Sequence, residues 1–198
     1  MQIKILDKVF ECDNQVTAVE GVFEQINQIL ANSDQHLSCL EIDGVKVYHD
    51  YDQYIVANLE DIKTIIVRIK TLKELIDDAI ISMQDYLVRA VPEIEATVDE
   101  FYQGASQHTW SNFSQLLDGL QFIVDTLNVV SKHQDWYYNA EQLILVKQNL
   151  LRQIVMLQEA MESQDRVWLN DVLLYEIIPS FQALNKEIEG SFETGQVH

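Results

Sequence analysis

The chain has 198 residues, of which 47% are apolar, with only 6 glycines and 2 prolines; that composition excludes long disordered or low-complexity stretches and favours long helices. Its 32 acidic and 13 basic residues give a net charge of −19, which repels phosphate backbones and anionic lipids, so neither nucleic acid nor a membrane surface is an expected partner. Residues 1–70 carry 6 basic and 12 acidic side chains and residues 71–198 carry 7 and 20, so the acidity forms no tail; it serves solubility, or a basic partner, or mimicry of a nucleic-acid backbone.

The opening run from Met1 to Asp7 has no basic region followed by an apolar stretch, so no signal peptide is expected. No run approaches the roughly 20 apolar residues of a membrane helix. Cys12 and Cys39 are too few for a disulfide framework. Together these features predict a cytoplasmic protein with both thiols free.

Ile3 and Ile5 alternate with Gln2 and Lys4, which predicts a strand, and Val9–Cys12 predicts a second one after the turn at Asp7-Lys8. Asp13 or Asn14 can cap a helix whose apolar face is Val16, Val19, Phe23, Ile26 and Leu30. Asn32-Ser33-Asp34 ends it. Leu37–Ile42 and Val45–Tyr48 flank Asp43-Gly44, a strong hairpin signal. A short irregular or helical piece, Tyr51–Leu59, leads to a last, β-branched strand at Ile62–Ile69.

From Thr71 onward the chain reads as helix. Thr71-Leu72-Lys73-Glu74 fits a capping box, and a stripe runs from Leu72 through Ile76, Ala79, Ile80, Met83, Leu87, Ala90, Ile94 and Val98 to Phe101. Pro92 is expected to kink or divide this helix, and Gly104 to end it. The second helix starts near Ser106 or Thr109 and carries Phe113, Leu116, Leu117, Leu120, Ile123, Val124 and Leu127. The third carries Leu143, Val146, Leu150, Ile154, Leu157 and Met161. The fourth carries Leu169, Leu173, Ile177, Phe181, Leu184 and Ile188, with Pro179 inside, and the residues from Gly190 are expected to fray. The fold class expected is α+β: a small β-grasp-like domain over residues 1–70, then an antiparallel four-helix bundle over 71–198.

At 100° per residue each helix has more apolar character than one stripe. Ile81 and Val88, Phe122 and Val129, and Trp168, Tyr175 and Ile178 lie away from the stripes of their helices, as do Tyr138, Leu145 and Met156. These outlying residues are candidate interface, and a homodimer, the small domain folded back, or a foreign protein would cover them. Two aromatic clusters, Tyr48, Tyr51 and Tyr54, and Trp136, Tyr137 and Tyr138, are a candidate partner patch.

Catalytic signals are lacking. No Glu-x-x-His occurs, His36, His49, His108, His133 and His198 are scattered, and His36 with Cys39 and Cys12 makes an incomplete ligand set. No nucleophile elbow, phosphate loop or dinucleotide fingerprint occurs. No catalytic residue, metal ligand or cofactor is therefore assigned. Glu176 is expected to form a buried ion pair with Arg89, Arg152 or Arg166; with Tyr175 and a nearby arginine it is also the first place to look for a small-molecule or metal site.

The order of elements over residues 1–70 resembles the β-grasp of ubiquitin-like domains, with a ferredoxin-like or other α+β sandwich as the alternative. The run Glu41–Tyr48, the helix end Glu100-Phe-Tyr-Gln-Gly104 and the segment Asp171–Pro179 resemble a group of uncharacterised bacterial proteins, which implies a bacterial setting and no particular activity. The function expected is non-enzymatic protein interaction as an adaptor, scaffold or chaperone-like binder. A small-molecule or metal-binding bundle of unrecognised enzymatic type is the alternative, and an acidic nucleic-acid mimic the third.

Overall fold

A computed structural model describes residues 1–31 and 33–193, apart from the side chains of Thr17 and of residues 191–193. Asn32, His198 and the part of the terminal stretch beyond residue 193 lie outside the described residues. The chain divides into two compact units, Met1–Leu75 and a second from Ile76 onward.

In the first unit β1 (Gln2–Ile5), β2 (Lys8–Glu11), α1 (Val16–Leu30), β3 (Gln35–Ile42), β4 (Val45–Val47), α2 (Tyr51–Asn58) and β5 (Thr64–Thr71) follow in order. The sheet runs β2-β1-β5-β3-β4. β1 and β5 are parallel, pairing Ile3 with Ile65 and Ile5 with Val67, and the other pairs are antiparallel. This is the β-grasp arrangement, with an apolar sheet face closed by a helix. Ile3, Ile5, Leu40, Ile42, Ile65 and Val67 supply the sheet side of the core, and Val19, Val22 and Ile26 the helix side. Val16, expected on that helix face, is exposed, because the buried stripe turns through Val22.

The hairpin turn works as its sequence demands. Asp43 and Gly44 both have positive φ, 46° and 89°, the turn that matches strand twist. The Asp43 carboxylate also accepts from the N–H groups of Lys63 (3.0 Å) and Thr64 (2.8 Å), tying the turn to the start of β5. Asn14 does not cap α1, whose N-cap is Gln15 without a side-chain bond. Its amide instead donates to the carbonyls of Leu59 (2.6 Å) and Ile62 (2.9 Å). The side-chain oxygen that a cap would use accepts instead from the Met1 ammonium (2.6 Å).

The second unit is made of long helices. α3 (Leu72–Gly104) opens on the reciprocal cap read from the sequence: Glu74 accepts from the Thr71 N–H (2.7 Å) and hydroxyl (2.9 Å), and Thr71 accepts from the Glu74 N–H (3.3 Å). Pro92 does not divide α3. The carbonyl that loses its donor belongs to Val88, an exposed residue, where water can serve instead. α3 ends at Gly104 with φ 119°. α4 (Gln107–Lys132) is capped by Ser106, whose partner is Thr109; the Thr109 hydroxyl in turn donates to Glu100 (2.7 Å). A 3₁₀ turn (Gln134–Trp136) leads to α5 (Ala140–Glu162), and α6 (Arg166–Val172), a π-turn (Leu173–Ile177) and α7 (Ile178–Glu193) complete the chain.

Cross-links fix the helix directions. Tyr137, before α5, donates to Asp77 at the start of α3 (2.9 Å). Asn139, also before α5, donates to the carbonyl of Glu187 near the end of α7 (2.9 Å). Lys147 of α5 donates to Ser131 at the end of α4 (2.8 Å). The helices therefore run antiparallel to their chain neighbours, as in an up-down-up-down bundle. Met83, Leu87, Phe113, Ile123, Leu150, Leu157, Leu173, Phe181 and Leu184 are among its fully buried residues.

Tyr86 sets the spacing of α3. Its ring meets Phe181 of α7 edge-on at 6.2 Å between centroids, and its phenol lies where a Cβ on Gly119 of α4 would stand. Burial first, then the Asp118 carboxylate, push this phenol up to about 12.

Two outcomes follow from these contacts. Gly119→Ala drives a methyl group into Tyr86 and should lose about 1–3 kcal/mol in urea unfolding, whereas Gly21→Ala on α1, with nothing within 4 Å, should gain up to about 1 kcal/mol; equal effects would refute the close approach. The backbone bond from Thr71, and then its hydroxyl, hold the Glu74 carboxyl below its ordinary value. A lowered folded value gives stability that is complete above the ordinary carboxylate range and fades as pH falls through the folded value. The protection of amides in the first turn of α3, relative to the intrinsic exchange rate at each pH, should fall in acid, and Glu74→Gln should remove that acid dependence.

Candidate functional site

Pro179 has no N–H and its ring would crowd a carbonyl four residues back. The chain answers with a wider turn just before it: the N–H of Ile178 bonds to the carbonyl of Leu173, five residues earlier. Such π-turns are rare and cluster at functional sites. Ile178 N–H being engaged there, and Pro179 having none to give, a carbonyl at Leu174 or Tyr175 is left without a helical donor.

The extra residue resets the helix by about 100°. Ile178, expected on the outer side, is therefore buried at 6% exposure beside Ile177, and it leaves the set of candidate interface residues. Tyr175 and Glu176 are turned outward, Tyr175 to 69% exposure.

Facing this turn, α5 presents Asn149, Arg152 and Gln153, and the two sides enclose a groove of about 430 Å³. Gln153 is only 6% exposed. Its amide donates to the Ser180 hydroxyl at 2.8 Å and reaches Glu176 Oε2 at 3.4 Å, while its own oxygen is buried without a partner. The expected buried ion pair of Glu176 does not form: Glu176 is exposed, Arg89 bonds the carbonyl of Asp85, and Arg152 reaches Asn149 at 3.5 Å. The π-turn has carried the carboxylate out of the core face.

The stripe assigned to the third helix chose Ile154 where the structure buries Gln153. The spacing of Leu150, Gln153, Leu157 and Ala160 is as good a helical face, and the core turns toward α7 on that side. Met161, at the end of the chosen stripe, is exposed.

Of the other candidate interface residues, Ile81, Val88, Phe122, Tyr138, Leu145 and Tyr175 are exposed, and Val129, Met156 and Trp168 are half-buried. Leu151 and Val155, one turn apart on α5, are also exposed. The two aromatic clusters are not uniform patches. Tyr51 and Tyr54 lean on the core of the first unit, Tyr51 near Phe23 at 6.4 Å, and Tyr48 is exposed. Trp136 stacks on His133 at 4.3 Å. Tyr137 is half-buried, and burial together with its bond to Asp77 pushes its phenol well above the usual range. Cys39 is buried, and burial pushes the Cys12 thiol up. Among the described residues no group of three or more His, Cys, Asp or Glu is placed to hold a metal ion, and no helix is long and apolar enough to cross a membrane.

A β-grasp unit and a helical unit interrupted by a π-turn define the class of protein. Residues 78–187, more than half of the chain, match the family described as Domain of unknown function (DUF8042), and residues 1–71 match the TP0873 N-terminal domain. The chain belongs to the DUF8042 family, an uncharacterised one. No curated protein and no solved structure matches it.

A buried acceptor without a partner costs on the order of 1–3 kcal/mol. Gln153→Met keeps the shape and removes that acceptor, so the variant should be as stable as the parent or more stable, by up to about 2 kcal/mol in urea unfolding. A clear loss of stability would show that the Gln153 amide contributes more through Ser180 than its unpaired oxygen takes away.

Proposed function

We propose that this protein acts by binding other proteins, as a non-enzymatic adaptor, scaffold or chaperone-like binder in the cytoplasm of a bacterial cell, and that it self-associates as a homodimer. The observation that supports the reading most is the line of apolar side chains on the outer face of α3. Ile81 (48%), Val88 (61%) and Tyr102 (59%) are all exposed. Steps of seven and fourteen residues keep them within an arc of about 60° and spread them over about 32 Å of helix.

Folding the helical unit requires one apolar stripe per helix, and α3 already buries that stripe through Ile80, Met83, Leu87, Ile94 and Phe101. The outer residues add nothing to that core. Covering them would return roughly 25 cal/mol for each Å² of apolar surface removed from water. Leu151 and Val155 on α5 and Phe122 on α4 repeat the pattern. The net charge of −19 favours partners with basic rims.

The test is the double variant Ile81→Asp/Val88→Asp. Both residues are exposed, so stability should change by no more than about 0.5 kcal/mol per site. Light scattering should report loss of the dimer, and proteins captured by cross-linking in the native cell should be lost with it. A double variant with unchanged mass and an unchanged set of captured proteins would defeat the reading.

A further inference from the structure

We propose that the groove beside the π-turn is a binding site for a small zwitterion, an amino acid that carries a carboxylate and an ammonium group. The groove holds about 430 Å³, within the roughly 300–1,000 Å³ of small-ligand sites. Arg152 lines it from α5 and Glu176 from the π-turn. The two are exposed and of opposite sign, yet among the described residues neither forms an ion pair with the other or with a third group. An acid and a base that share a groove without neutralising each other leave one place for an anion and another for a cation.

Arg152 suits the carboxylate. Its planar fork matches the two oxygens, and the contact it makes in the protein, to Asn149 Oδ1 at 3.5 Å, is at the outer limit of a hydrogen bond. Glu176 suits the ammonium. Among the described residues its carboxylate receives only the long 3.4 Å contact from Gln153. Tyr175 also lines the groove, and its exposed ring offers a face on which a cation can rest. A bare amine would be attracted by Glu176 and repelled by Arg152, and a bare carboxylate the reverse. Only a ligand with both charges is served by the whole groove.

The site uses none of the α3 residues on which the protein-binding reading rests, so either can fail alone. Full-length protein is titrated by calorimetry and thermal shift with each standard amino acid and with γ-aminobutyrate, beside butylamine and butyrate as single-charge controls. At least one amino acid should bind and raise the melting temperature, and the controls should not. Glu176→Gln and Arg152→Gln should each weaken that binding by about tenfold or more, as expected for loss of one charged hydrogen bond. The melting temperature of the free protein should stay in place, because both side chains are exposed. The proposal is overturned if no amino acid binds, if either control binds as tightly as the zwitterion, or if both variants bind like the parent.

Discussion

One hydrogen bond organises the last third of the chain: the N–H of Ile178 reaching five residues back to Leu173. A regular α-helix through this segment would send Ile178 out and carry the stripe begun at Leu169 off the core, since Leu169, Leu173, Ile177 and Phe181 recur every four residues and drift by about 40° per step. One wide turn cancels the drift. Leu169, Leu173, Ile177, Phe181, Leu184 and Ile188 then all stay buried, and α7 keeps its place against α5. The same turn places Tyr175 and Glu176 at the groove. Core and groove thus share one cause, and the proline that forces the turn cannot be removed from one without disturbing the other.

The cost of that arrangement is visible in polar groups. Buried side-chain oxygens of Asn139, Gln153, Asn170 and Asn185 have no partner among the described residues, all in the helical unit. Native proteins keep few such groups, and an apolar residue at Gln153 would do the packing without the penalty. Asn139 has a structural reason, since its amide holds the end of α7. Gln153 has a weaker one, a bond to a single serine that half-faces solvent. A polar group held against stability beside a π-turn is where selection for something other than folding is most readily seen.

The β-grasp was legible because its signals are local. Alternation marked β1, the Asp43-Gly44 pair marked the hairpin, and the β-branched run marked β5 within two residues at each end. The capping box at Thr71 and the α3 stripe were legible for the same reason. What was not legible depended on distant partners. Nothing near Asn14 in the chain announces that its amide serves Leu59 and Ile62. The π-turn had a local trace, the repeated four-residue steps before Pro179, but a fixed 100° wheel reads that trace as a surplus apolar face and so assigned Ile178 to an interface. Gln153 was hidden by a choice between two helical faces of equal quality, which only the position of α7 decides.

Charge and apolar surface have to be weighed together. The part of the chain that bears the outward apolar residues, 71–198, carries 20 acidic and 7 basic groups. Two copies meeting through those faces bring like fields together, although beyond roughly 8 Å the repulsion is screened at physiological salt. Apolar contact acts at shorter range and survives screening. Self-association is therefore favoured only where acids stand aside from the joined strip, whereas a partner with a basic rim gains from both terms at once. On α3 the strip itself is interrupted by two exposed acids, Glu95 and Asp99, between Val88 and Tyr102. A second copy would have to bury or pair those carboxylates, and a basic partner would meet them with lysines or arginines.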